Sequence, residues 1–123
     1  MPRFVEMDAT VTLADQLRDE VSDPVVLINT FVVPAEDADA LLNTWSRDAA
    51  IMKRQPGFIS TQLHRGIAGS GTFLNYAVWQ SVAHFREAFA NPDFRAQLGA
   101  YPDSATASPH LFRKVGVPGV CVA

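Results

Sequence analysis

Two asparagines, a tryptophan and a histidine stand at positions where their chemistry could be used. Asn29 interrupts the apolar run Val25-Val26-Leu27-Ile28-Asn29-Thr30-Phe31-Val32-Val33 and shares its alternation with Leu27 and Phe31. Burying an amide without a partner costs roughly 1–3 kcal/mol, so Asn29 must bond to something. Asn75 and Trp79 stand four apart in a second β-rich run, on one face of a strand with Phe73 and Ala77. His64 shares parity with Phe58, Ser60 and Gln62 in a third. If these parities face covering helices, two amides, an imidazole and an indole converge beneath Trp45, Phe85 and Phe89. An apolar pocket with a few hydrogen-bonding groups suits a flat, oxygenated aromatic ligand. Each residue also has a plain structural reading. A mid-strand asparagine serves equally as a bulge or a cross-strand bond, Trp45 and Trp79 as core, and His64 as a surface histidine near a turn.

Other chemistries lack their residues. His64, His84 and His110 are the only histidines, no two have metal-ligand spacing, and no carboxylates cluster with them, so neither a metal nor a cofactor is expected. Gly66-Ile67-Ala68-Gly69-Ser70-Gly71 precedes a strand and carries no lysine, so it reads as a hairpin turn and not a phosphate loop. The chain has no G-x-S-x-G elbow, and Cys121, its single cysteine, rules out an internal disulfide.

The elements that must position these residues follow from periodicity. Val25–Val33 is a strand apolar on both faces, ended by Pro34. Ala38, Leu41, Leu42, Trp45, Ala49 and Met52 recur at helical spacing until Pro56-Gly57. Phe58–Arg65 and Thr72–Gln80 form a hairpin. Ser81 caps a helix bearing Val82, Phe85, Ala88 and Phe89, Asn91-Pro92 restarts a short one through Leu98, and Leu111–Val115 is the expected last strand after a small-residue loop from Tyr101 to Pro109. This β-α-β-β-α-β order predicts an α+β, ferredoxin-like split β-α-β domain, an antiparallel sheet with helices on one face, over residues 24–123. Residues 1–23 form a helical extension with Leu13, Leu17 and Val21 in a stripe. The other sheet face has no cover within one chain, so a homodimer is expected.

Composition agrees with one globular domain: 123 residues, 48% hydrophobic and 19% charged. Ten Lys and Arg against thirteen Asp and Glu, net charge −3, give no footprint for nucleic acid. Without a membrane-length apolar run or a signal-peptide core, the expected location is cytoplasmic.

The strand segment Val-Leu-Ile-Asn29-Thr-Phe-Val-Val, the Gln-Pro56-Gly57-Phe58 turn with the strand running to His64, and Asn75-Tyr-Ala-Val-Trp79-Gln-Ser together resemble the antibiotic biosynthesis monooxygenase superfamily over about Val25 to Val115. Within it, the resemblance is greatest to cofactor-independent anthrone oxygenases of aromatic polyketide biosynthesis, of the nogalamycin, actinorhodin and tetracenomycin type. That resemblance implies a dimeric α+β barrel with a pocket between the sheet and helices of each subunit. It implies catalytic roles for Asn29, Asn75 and Trp79, with His64 lining the pocket as a possible proton shuttle. Trp45, Phe73, Phe85 and Phe89 would bind the substrate. Phe85 replaces a tyrosine of the actinorhodin type, and only Arg95 lies near that type's arginine, which favours a scheme built on the asparagines and tryptophan. The implied reaction takes an aromatic polyketide anthrone and dioxygen to a quinone. A quinol monooxygenase, a non-catalytic small-molecule-binding or stress-related barrel protein, and a heme-degrading enzyme are the alternatives the same superfamily offers.

Overall fold

In the computed structural model, residues 1–123 fold as one sheet backed by helices. The strands are β1 (Arg3–Phe4), β2 (Val25–Val32), β3 (Phe58–Arg65), β4 (Thr72–Trp79) and β5 (Thr106–Phe112). The helices are α1 (Leu13–Leu17), α2 (Ala38–Met52), α3 (Val82–Phe89) and α4 (Pro92–Leu98). The sheet order is β1-β5-β2-β4-β3, antiparallel throughout except that β1 runs parallel to β5. Strands β2 to β5 reproduce the expected ferredoxin-like order, and the helices lie on one face. Within the single chain the sheet stays open and does not close into a barrel. No helix is long and apolar enough to cross a membrane.

The caps follow local chemistry. Ser81 Oγ accepts the His84 backbone N–H at the start of α3, and Asn91 Oδ1 accepts those of Asp93 and Phe94, where Pro92 opens α4 without needing a donor. The turn before β3 requires glycine: Gly57 has φ +86°, and a Cβ there would come within 2.2 Å of the His84 ring.

The last strand begins at Thr106, five residues before the position expected from hydropathy, and ends at Phe112. Pro109 obscured it. The carbonyls of Ala105 and Ala107 accept N–H groups of Arg3 and Val5, so odd-numbered residues of β5 turn their backbone groups toward β1. Pro109 therefore turns its missing N–H away from β2, beyond the last β1 pairing at Phe4–Ala107, and the ladder to β2 loses no donor.

Side-chain parity divides the sheet cleanly. Val25, Leu27, Asn29 and Phe31 of β2, with Phe73, Asn75, Ala77 and Trp79 of β4, face the helices, where most of the core lies. On the open face, Val32, Tyr76 and Phe112 remain 39–48% exposed.

Candidate active site

The floor of the site is a cross-strand pair: Asn29 on β2 stands directly opposite Asn75 on β4. Asn29 Oδ1 accepts the backbone N–H of Ser108 on β5 at 3.1 Å, and Asn75 Oδ1 accepts the hydroxyl of Thr61 on β3. Each amide therefore uses its acceptor within the sheet, while its Nδ2 group donates to nothing in the chain. Two adjacent NH₂ groups are left at the floor of a cavity with an empty volume of about 650 Å³, mouth included.

A run of aromatic rings forms one wall. Phe58 meets Trp79 edge-on at 5.4 Å, Trp79 meets Phe85 at 5.7 Å, and Phe89 links Phe85 to Phe94 with both centroid distances 5.4 Å. Trp79 is 1% exposed, and its indole N–H has no acceptor. Orphaned donors of this kind are uncommon in interiors, and this one belongs to a residue of the cavity wall.

The helix side contributes a carboxyl group. Asp48 of α2 is buried, and the Tyr101 hydroxyl donates to its Oδ2 at 2.6 Å, while Oδ1 is buried without a partner. Tyr101 is held by stacking on Phe31, with ring centroids 5.6 Å apart. Burial pushes the Asp48 carboxyl up to about 6, against the opposing effect of the Tyr101 hydrogen bond. Burial, with the Asp48 carboxylate beside it, pushes the Tyr101 phenol well above its ordinary value and keeps it a neutral donor. Asp48 and Tyr101 are the only ionisable residues of the cavity wall.

Of the residues singled out from sequence, Asn29, Asn75, Trp79, Phe85 and Phe89 meet at this cavity. His64 does not. A β-bulge between Phe58 and Ser60 inserts Ile59 and reverses the parity beyond it, so Thr61 and Leu63 take the helix side and His64, paired with Leu74, lies on the open face. Phe73 is buried in the neighbouring core cluster under the Arg65 guanidinium, and Trp45 packs on the edge of that cluster; neither lines the cavity. Arg95 lies over the Phe89 ring at 4.6 Å and is not part of the wall. No histidine lines it either: His84, whose Nδ1 bonds Ser81 Oγ, packs on Gly57, which leaves a heme-degrading scheme without its ligand. No cluster of three His, Cys, Asp or Glu side chains is arranged to hold a metal ion.

Sequence reasoning missed Thr61, Asp48 and Tyr101, along with Pro2 and Phe4, through which the N-terminal segment contributes to the wall. Asp48 did leave a trace. It stands three residues after Trp45 and four before Met52, inside the apolar stripe of α2.

Comparison with known proteins gives a consistent result. The family model described as Antibiotic biosynthesis monooxygenase matches residues 24–98. Deoxynogalonate monooxygenase of Streptomyces nogalater is 33% identical over 91 residues, 74% of this chain and 76% of the relative. The crystal structure of SnoaB, a cofactor-independent oxygenase from Streptomyces nogalater, is similar with a TM-score of 0.71 and 30% identity, covering 79% of this chain and 98% of that one. A Shewanella loihica protein of known structure is similar with a TM-score of 0.67 and 37% identity, over 78% of this chain and 98% of its own.

The buried carboxyl has a thermodynamic signature. Its pKa rises from 3.8 to about 6 on folding, so the folded chain binds more protons than the unfolded one between those values. Stability therefore falls as pH rises through that window, and an ionised Asp48 costs roughly 3 kcal/mol near neutrality. Asp48→Asn, which keeps an acceptor for Tyr101, is expected to raise the melting temperature at pH 7.5 and to lose most of that gain by pH 4. Thermal melts across this range check it, and an equal shift at both ends would contradict it.

Proposed function

Because the chain belongs to the antibiotic biosynthesis monooxygenase family, we propose that this monooxygenase works without a cofactor and oxidises an anthrone-type aromatic polyketide to its quinone with dioxygen. The observation that carries this reading is the pair of unpartnered amide NH₂ groups beside a run of aromatic rings. Such a floor offers two hydrogen bonds to the oxygens of a flat ring system, and the rings offer it a stacking surface. The curated relative acts as deoxynogalonate monooxygenase, and SnoaB is described as cofactor-independent, which agrees with a scheme needing only substrate, dioxygen and protein groups.

The chemistry asks little of the protein. Dioxygen is a triplet and reacts slowly with closed-shell molecules, but an electron-rich anthrone anion can give it one electron. A base takes one methylene proton, and the C–H electron pair stays on the ring system, delocalised onto the carbonyl oxygen. One electron passes to dioxygen, and superoxide recombines with the carbon radical. Protonation gives a hydroperoxide, which loses the second C–H proton and its terminal OH as water, leaving the new carbonyl. One dioxygen is consumed, with one oxygen atom ending in the quinone and one in water. Asn29 and Asn75 hold the oxygen that gains charge, the electrostatic contribution that most often dominates such reactions. Trp79 orients the ring and stabilises the radical or peroxide stage. The preformed, largely apolar cavity keeps the reacting partners in place.

The working form is a homodimer in which the partner covers the open sheet face. Val32, Tyr76 and Phe112 supply an apolar surface there that a monomer would leave in water.

Asn29→Ala and Asn75→Ala are each expected to lower kcat/KM for an anthrone about a hundredfold, the usual effect of removing one oxyanion donor. Trp79→Phe should retain binding and slow turnover. Steady-state oxidation by each folded variant tests this, and near-wild-type rates in all three would reduce these residues to core. Light scattering at micromolar concentration should give twice the chain mass of 13.4 kDa; a monomer would overturn the dimer.

A further inference from the structure

We propose that Asp48 is the proton acceptor of the cavity, its unpartnered Oδ1 taking the acidic proton of a substrate whose oxygens rest on Asn29 and Asn75. The inference rests on the reading of the substrate as an aromatic carbon acid and supplies the base that the reading leaves unassigned.

The argument is geometric. Asp48 comes from α2, on the helix side of the cavity, whereas the two amides come from the sheet, so a bound ring system lies between hydrogen-bond donors and a carboxylate. The two carboxylate oxygens are differently placed. Oδ2 receives the Tyr101 hydroxyl at 2.6 Å, and Oδ1 is buried with no donor at all. A buried carboxylate oxygen left unpaired is costly, and such exceptions call for a reason. A ligand proton would satisfy it. Tyr101 is a positioning residue: stacked on Phe31, it holds the carboxylate through Oδ2 and leaves Oδ1 without a protein partner.

The charges balance within this arrangement. When the substrate C–H bond breaks, the proton passes to Asp48 Oδ1 and the electron pair remains on the substrate as an enolate. Its oxygen is met by the Nδ2 groups of Asn29 and Asn75. The negative charge thus moves from the helix side of the cavity to the sheet side, where the donors wait. The same proton can return to the peroxide oxygen after dioxygen has added, restoring the carboxylate. No other side chain of the wall can do this, because the remaining polar residues there, Asn29, Asn75, Thr61 and Trp79, do not ionise near neutrality.

Asp48 is ionised at neutral pH yet basic enough to act, since burial pushes its carboxyl up to about 6. The charged groups on the surrounding elements point elsewhere. Arg47 of α2 turns to Gln97, Arg95 of α4 lies over Phe89, and the Met1 amine bonds the Tyr101 carbonyl and Asp103. From β2 and β4 only uncharged side chains face the cavity, and Tyr101 is the single titratable neighbour bonded to Asp48.

The test is the pH profile of anthrone oxidation by the full-length protein. In the wild type, kcat/KM should rise with pH through about 6 and level off. Asp48→Asn keeps its shape and its bond from Tyr101; it should lose that limb and fall about a hundredfold or more at pH 7. Its rate should recover as the pH passes the substrate's own ionisation, because enolate formed in solution bypasses the base. Tyr101→Phe should displace the limb with a smaller loss of rate, and serves as the second variant if Asp48→Asn folds poorly. An Asp48→Asn protein with wild-type rate and an unchanged limb would overturn the assignment while leaving the substrate reading intact. A wild type that oxidises no anthrone would overturn both.

Discussion

An amide has one acceptor and two donors, and a pair of amides on the covered face of a sheet must use all of them or lose stability. Asn29 and Asn75 face each other across β2 and β4 on the helix side, both half-buried at the cavity. The sheet meets the acceptor's part of the requirement. The Ser108 backbone N–H on β5 fills one carbonyl, and the Thr61 hydroxyl on β3 fills the other. The strands on either side of the central pair thereby engage both side-chain carbonyls and leave the two NH₂ groups of these cavity-lining residues without a partner in the chain. The β-bulge at Ile59 belongs to the same design, because without it Ser60 and Gln62, not Thr61, would take the helix face.

Two other groups of the cavity wall are kept under electrostatic cost. Asp48 Oδ1 and the Trp79 indole N–H are both buried without partners, and both belong to the cavity wall. Protein interiors satisfy nearly all such groups, and of the three buried orphans in the chain two lie on this one wall, the third being His110 Nδ1 elsewhere. The apolar core on either side supports this cost. One cluster around Phe31, Leu41 and Phe73 and another around Leu27, Trp79 and Phe85 flank the cavity. Stability given up at a functional site and recovered elsewhere is a familiar trade.

The fold was largely legible because its signals are periodic and its punctuation is chemical. Val25–Val33, the α2 stripe, the Ser81 and Asn91 caps and the Gly-rich hairpin each specify an element locally. The N-terminal strand was not legible: two residues, Arg3 and Phe4, carry no alternation, and their pairing with β5 is a tertiary fact. Within the site, Asn29 could be found because an amide breaks an apolar run, and Asn75 and Trp79 because a straight strand preserves parity. His64 was misplaced because a single inserted residue reverses parity, and a bulge has no dependable sequence mark. Asp48 was passed over because a count of apolar residues discards a carboxylate even at the centre of the stripe.

Oxygen uptake by the purified, chelator-treated protein with a simple hydroxyanthrone as substrate is the most direct measurement of the central claim, that the cavity's own side chains suffice for the oxidation. The account predicts one dioxygen consumed for each quinone formed, at a rate unchanged by chelator and by added flavin or metal. Uptake that appears only when a metal ion or flavin is supplied would contradict it.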